Sequence, residues 1–136
     1  MAPPPHLTLI DGSGFIFRAY HRLPPLTDPE GTPVGAVFGF TSMLWNQIEL
    51  ARKSPEDDYL AVILDAGKTS FRNEIYPAYK ANRPDPPEDL VPQFPLIRDA
   101  VNALGVPCIE KPGLEADDLI ASYAEAAMAR GMHVTI

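Results

Sequence analysis

The chain is poor in cysteine, in positive charge and in long apolar runs, and each shortage closes off a class of protein. Its one cysteine, Cys108, permits no internal disulfide and no cysteine-rich zinc site, which fits a reducing compartment. Eleven Lys and Arg stand against eighteen Asp and Glu. The resulting net charge of −7 argues against a simple basic-patch binder. It does not exclude nucleic acid, because bound metal ions would cancel part of that charge locally. No stretch approaches the roughly 18 apolar residues of a membrane span. Met1 to Pro5 has neither the charged nor the apolar region of a signal peptide. Repeats and low-complexity tracts are also lacking. What is present is 136 residues, one domain's worth of chain or a piece of a larger domain, with 46% apolar residues to build a core. Of sixteen prolines, most cluster in Pro3–Pro5, Pro24–Pro33 and Pro84–Pro95, which reads as structured loops and helix starts.

Short apolar runs alternate with segments of helical period. Leu7 to Ile10 reads as a buried strand closed by the turn Asp11-Gly12-Ser13-Gly14, and Phe15 to Arg22 as a short helix. Val37, Phe40, Leu44, Ile48 and Ala51 recur at three to four residues and predict a helix ended by Lys53-Ser54-Pro55. Tyr59 to Leu64 is a second strand, closed by Asp65-Ala66-Gly67. Asp89 is placed to cap a helix with the stripe Leu90, Phe94, Ile97, Val101 and Leu104, ended by Gly105. Val106 to Ile109 is a third strand. Leu119, Ile120, Tyr123, Ala124 and Ala127 stripe a last helix ended by Gly131, and His133 to Ile136 starts a fourth strand. This alternation predicts an α/β fold with a parallel sheet. Trp45 and the methionines fit helix packing, and Cys108 a buried strand position.

The carboxylates carry the chemistry. Glu115, Asp117 and Asp118 crowd into four residues after a Pro112-Gly113 turn, and Asp11 and Asp65 each end a strand. In parallel α/β sheets, ligands collect at the carboxyl ends of the strands. One topological rule therefore gathers all five acids on one edge. Clustered carboxylates repel, and a divalent cation removes that penalty. Oxygen ligands alone suit magnesium or manganese, which also bind substrate phosphates. On a helix Glu115 and Asp118 share a face while Asp117 points elsewhere. Asp11 or Asp65 taken alone reads more readily as a turn or capping residue, and Glu115 to Asp118 equally well as capping; the conjunction favours the metal.

A local inversion of charge follows the second strand. Lys68, Arg72, Lys80 and Arg83 place four basic residues in sixteen positions against one acid, Glu74, with Phe71, Tyr76 and Tyr79 interleaved. Such groups meet phosphates and stack on bases, although tyrosines anchoring a solvated loop would look the same. Arg18, Tyr20 and Arg22 would extend this rim, while His21 has no carboxylate at a spacing that would recruit it.

The strings Ile10-Asp11-Gly12-Ser13, Arg18-Ala19-Tyr20-His21, Val37-Phe38-Gly39-Phe40, Leu64-Asp65 and Ser70-Phe71-Arg72 resemble, in order and spacing, the opening of the 5′-nuclease domains of bacterial DNA polymerase I. Tyr79-Lys80-Ala81-Asn82-Arg83-Pro84 and Gly113-Leu114-Glu115-Ala116-Asp117-Asp118 carry the resemblance furthest, because these strings are specific to this flap-endonuclease-like, PIN-like family. The resemblance runs from Leu7 to Ile136 and leaves residues 1–6 as an N-terminal tail. It implies the N-terminal part of a 5′-3′ exonuclease domain, cut before the C-terminal half, since the chain stops inside an apolar strand. It further implies two Mg2+ or Mn2+ ions in the intact domain and metal-site roles for Asp11, Asp65, Glu115, Asp117 and Asp118. Lys80 would reach the scissile phosphate with Arg83 as its neighbour. Arg18, Tyr20, Lys68, Arg72 and Tyr79 would contact DNA. The partner would be DNA with a 5′ flap, nick or 5′ end, bound by a monomer acting in the bacterial cytoplasm near the nucleoid. The family pattern places further acids and a helix-hairpin-helix beyond Ile136, so a weak or inactive fragment is expected. Two readings compete: an α/β module that binds metal or DNA without catalysis, and a phosphatase with Asp11 as nucleophile. The second usually needs another Asp two residues on, where this chain has Ser13.

Overall fold

A computed structural model gives the fold and describes residues 4–54, 58–65 and 87–136. Among these, β1 (His6–Asp11), β2 (Asp58–Ile63), β3 (Cys108–Ile109) and β4 (His133–Thr135) form a sheet in the order β3-β2-β1-β4, every pair parallel. The helices are α1 (Gly12–Arg22), α2 (Gly35–Lys53), α3 (Gln93–Ala103) and α4 (Ala116–Ala129). The expected parallel α/β architecture is therefore present. The chain builds outward from β1 to β3 and then returns to β4 on the other side of β1. That places the switch point of the sheet between β1 and β4, with Leu7 beside Val134 and Thr8 beside Thr135.

Strand alternation divides the core in two. Ile10, Val62 and Leu64 pack with Ile16, Phe40, Leu44, Ile97 and Val101 under α1, α2 and α3. Leu9, Ala61 and Ile63 face the other way, onto Ala116, Leu119, Ile120 and Ala124 of α4. A sheet covered on both faces explains why its strands read as unbroken apolar runs rather than alternating ones. Of the stripe from Leu90 to Leu104, Ile97 and Val101 of α3 are fully buried and Phe94 and Leu104 pack at the margin, while Leu90 is buried in the turns before the helix.

Both glycine stops form Schellman closures. After α3, Gly105 takes φ 77°, its N–H donates to Asn102 O and the Val106 N–H donates to Val101 O. After α4, Gly131 takes φ 79°, its N–H donates to Met128 O and the Met132 N–H donates to Ala127 O.

The structure corrects five expectations. Helix α1 begins at Gly12, not Phe15, because Asp11 caps it directly. Gly12 is needed there: a Cβ would overlap Leu64 Cδ2 and come 3.0 Å from the Ile63 carbonyl oxygen and from Val62 Cγ1. Asp89 caps no helix. The chain makes turns from Pro87 to Pro92, and α3 starts at Gln93 with Pro92 at its cap and Pro95 in its first turn. Those prolines sit where a backbone N–H would lack a helical partner in any case. The third strand shrinks to Cys108–Ile109, because the Val106 N–H is spent on closing α3 and Pro107 has none. Trp45 is 44% exposed rather than packed, with the Arg52 guanidinium 5.5 Å from its ring centroid, and Met128 is also exposed. Finally, Tyr123 lies exposed on the outer margin of the α4 stripe.

Candidate metal centre at the carboxyl edge of the sheet

Asp65 is the joint of this edge. The buried Leu64 before it is tied to β3 by its N–H on Ile109 O at 2.9 Å, which fixes where the carboxylate emerges. Asp65 Oδ1 accepts the Ala116 N–H at 2.6 Å, in the first turn of α4. Its Oδ2 accepts the Ser13 hydroxyl at 3.1 Å, in the first turn of α1. One side chain thus holds the N-terminal ends of two helices that follow different strands. Both ends carry partial positive charge, which attracts the carboxylate to them.

Asp11 ends β1 and caps α1, with Oδ1 accepting the Gly14 N–H at 3.4 Å. Glu115 caps α4 in an extended conformation (φ −86°, ψ 160°). It therefore precedes the helix and does not share a helical face with Asp118, contrary to what spacing alone predicts. Glu115 and Asp118 instead form a reciprocal capping box, in which Asp118 Oδ2 accepts the Glu115 N–H at 3.0 Å. Asp117 stands exposed and apart, in line with its helical angle. Sheet topology thus brings Asp11, Asp65, Glu115 and Asp118 to one edge. Among the described residues no three acids, histidines or cysteines are drawn close enough to hold a metal ion between them.

The donor set nevertheless has the chemistry of a hard-cation site. Asp11, Asp65 and Asp118 are aimed by backbone N–H donors of this same edge, and an ionised carboxylate offers about four lone-pair sites. These hydrogen bonds orient the acids without exhausting them.

Beside Asp11 a depression of about 360 Å³ opens at the β1–β4 switch point, lined by Gly14, Arg18, Gln47 and Thr135. Arg18 is exposed, with its guanidinium 5.4 Å from the Phe15 ring centroid. Tyr20 has a protein partner: its hydroxyl donates to Asp89 Oδ1 at 2.7 Å. That hydrogen bond, then partial desolvation, then the Asp89 charge, raise the phenol pKa above its ordinary value. Lys68, Arg72, Tyr79, Lys80 and Arg83 lie outside the described residues.

Two residues that the motifs left aside prove structural to the site. Ser13 positions Asp65; the sequence shows it only as the last residue of the Ile10-Asp11-Gly12-Ser13 string, with no role attached. Gln93, buried at 2% exposure, accepts from the Ala36 and Val37 N–H groups at 2.8 and 3.1 Å and donates to Asp89 O at 2.8 Å. It caps α2 from a distance, since Val34 at the helix cap has no side-chain bond to offer. Nothing in the sequence marks it.

Comparison with known proteins agrees with this architecture. Residues 6–136 match the family described as the 5′-3′ exonuclease, N-terminal resolvase-like domain. The chain is 56% identical over 135 residues to a DNA polymerase I of Rhizobium leguminosarum, covering 96% of this chain and 13% of that protein. It is 40% identical over 130 residues to a 5′-3′ exonuclease of Aquifex aeolicus, covering 96% of this chain and 44% of that protein. The chain thus spans less than half the length of these curated relatives. Among solved structures it resembles a flap endonuclease of bacteriophage T5 in a pseudo-enzyme-product complex with DNA and metal ions. The TM-score there is 0.64 at 26% identity, over 96% of this chain and 47% of that one. The same phage protein co-crystallised with metal ions gives a TM-score of 0.61 at 27% identity, over 88% of this chain and 44% of that one.

Proposed function

Because the chain belongs to the family of 5′-3′ exonuclease N-terminal, resolvase-like domains, we propose that it supplies the N-terminal part of a metal-dependent 5′-3′ exonuclease and structure-specific 5′-flap endonuclease. The substrate is DNA with a 5′ flap, nick or 5′ end, met in replication and repair as part of a DNA polymerase I. The observation that carries this reading is Asp65, held between the starts of α1 and α4 on an edge that also bears Asp11 and Glu115. The phage flap endonuclease that shares the fold was crystallised with DNA and metal ions, which supports DNA and a divalent metal as the ligands here.

Asp11, Asp65, Glu115, Asp117 and Asp118 would hold Mg2+ or Mn2+, two ions in the intact domain. Such ions, when bound, acidify a water into a nucleophile and offset charge on the phosphate. The chain's own part is to aim Asp11, Asp65 and Asp118, through the Gly14, Ala116 and Glu115 N–H groups. Arg18, Lys68, Arg72 and Tyr79 would bind the DNA backbone, and Lys80 with Arg83 would meet the scissile phosphate. Cutting then follows DNA shape rather than sequence. The protein would act as a monomer in the cytoplasm at the nucleoid.

Cleavage of a labelled 5′-flap duplex in Mg2+ by a full-length version of the protein tests the reading. Asp65→Asn and Lys80→Ala are expected to lower cleavage by about 100-fold or more while Asp65→Asn keeps DNA binding. Cleavage within tenfold of the unmodified protein for both variants would refute it. A second reading, DNA binding without cleavage by these residues alone, is favoured by the engagement of Glu115 and Asp118 in a capping box. Flap binding with no product at any Mg2+ concentration is its signature.

A further inference from the structure

We propose that α1 anchors Asp65 and Asp89 at a fixed spacing, and that Tyr20 is a positioning residue that influences DNA through Asp89 rather than by touching it. The DNA part of this inference rests on the function proposed above; the anchoring part does not. In the first turn of α1, the Ser13 hydroxyl donates to Asp65 at 3.1 Å. Further along the same helix, the Tyr20 hydroxyl donates to Asp89 at 2.7 Å. Ser13 and Tyr20 are seven residues apart on α1, about two turns and about 10 Å along the axis, so they project from nearly the same face. A single rigid helix therefore sets the spacing of the two attachment points.

Each attachment has a second hold. Asp65 also accepts the Ala116 N–H, and the Asp89 carbonyl oxygen accepts from Gln93 Nε2 at 2.8 Å, whose other end caps α2. Asp89 is thus gripped by its side chain and its backbone at once, although the residue itself is exposed. A Tyr20 that contacted phosphate directly would need a free hydroxyl. Here the hydroxyl is donated to a carboxylate, and the negative charge of that carboxylate opposes an approaching phosphate. The raised phenol pKa agrees with a proton held in this bond.

The test combines Tyr20→Phe, Asp89→Ala, their double variant and Asp89→Asn, which keeps an acceptor oxygen. Hydrogen exchange at the Leu90 and Val91 amides reads the anchor, and anisotropy of a labelled 5′-flap duplex in Ca2+ reads its effect on DNA. Tyr20→Phe and Asp89→Ala should each speed exchange and weaken binding about fivefold. The double variant should lose no more than either single one, and Asp89→Asn should stay near the unmodified protein. Additive losses, or weaker binding for Tyr20→Phe with none for Asp89→Ala, would overturn the positioning role in favour of direct contact. Unchanged exchange in both single variants would overturn the anchor. If the unmodified protein binds no flap DNA, the functional reading falls, and exchange alone upholds or overturns the anchor.

Discussion

Replacing Gln93 by leucine should destabilise the protein by about 1–3 kcal/mol although it removes no charge and little volume. The size follows from what each end of the amide leaves behind. Ala36 is 1% exposed, and its N–H bonds Gln93 Oε1 in a buried contact, so an unmet donor there costs about 1–3 kcal/mol. The Val37 N–H loses a part-buried bond of 3.1 Å, worth about 1 kcal/mol. The Asp89 carbonyl oxygen, on an exposed residue, can turn to water and adds little. The better transfer of a leucine side chain returns one methylene's worth of burial, about 1 kcal/mol. Urea unfolding at neutral pH measures the loss as a fall in midpoint at constant m-value. Hydrogen exchange at the Ala36 and Val37 amides should rise in parallel. A stability within about 0.5 kcal/mol of the unmodified protein would refute the claim that Gln93 supplies the cap of α2.

Other outcomes follow from the same coordinates. Gly12→Ala should cost about 1–3 kcal/mol by urea unfolding, since its Cβ collides with Leu64 and approaches the Ile63 carbonyl oxygen. Gly14→Ala, with nothing nearer than Asp11 Oδ2 at 3.6 Å, should cost less than half of that by the same measurement. His6→Ala should cost about 1–2 kcal/mol, because its ring links Asp58 Oδ1 at 2.7 Å and Thr135 Oγ1 at 2.6 Å across three strands. Burial first, and then the Glu110 charge, raise the Cys108 thiol pKa against a lowering by Arg98. At pH 8 less thiolate is therefore present than on a free cysteine, and labelling by a thiol reagent should be slower, then faster in Glu110→Gln.

Much of the fold was legible because it rests on local rules. The apolar runs ending in Asp11 and Asp65, the stripe from Leu90 to Leu104 and the glycines at 105 and 131 each announce an element by period or by backbone freedom. The misreadings cluster where a partner distant in sequence decides. Asp89 looks like a helix cap because acids before apolar stripes usually are; it is claimed by Tyr20, sixty-nine residues earlier. Trp45 looks like core because helices usually bury tryptophan, yet α2 turns it outward and buries Phe40 and Leu44 instead. Of the candidate site, the edge was readable from the order of strands and helices, and the orientation of its acids was not.

The sequence by itself determined the elements, their parallel arrangement and the family, since helical period, turn chemistry and strings such as Glu115-Ala116-Asp117-Asp118 are properties of neighbouring residues. Only the tertiary structure decided which side chains hold which ends. Asp65 joins α1 to α4, Gln93 caps α2, and Tyr20 secures Asp89. The physical reason is that a hydrogen bond needs its donor and acceptor within about 3 Å and in line. That condition is met by packing two elements together, and no spacing along the chain encodes it.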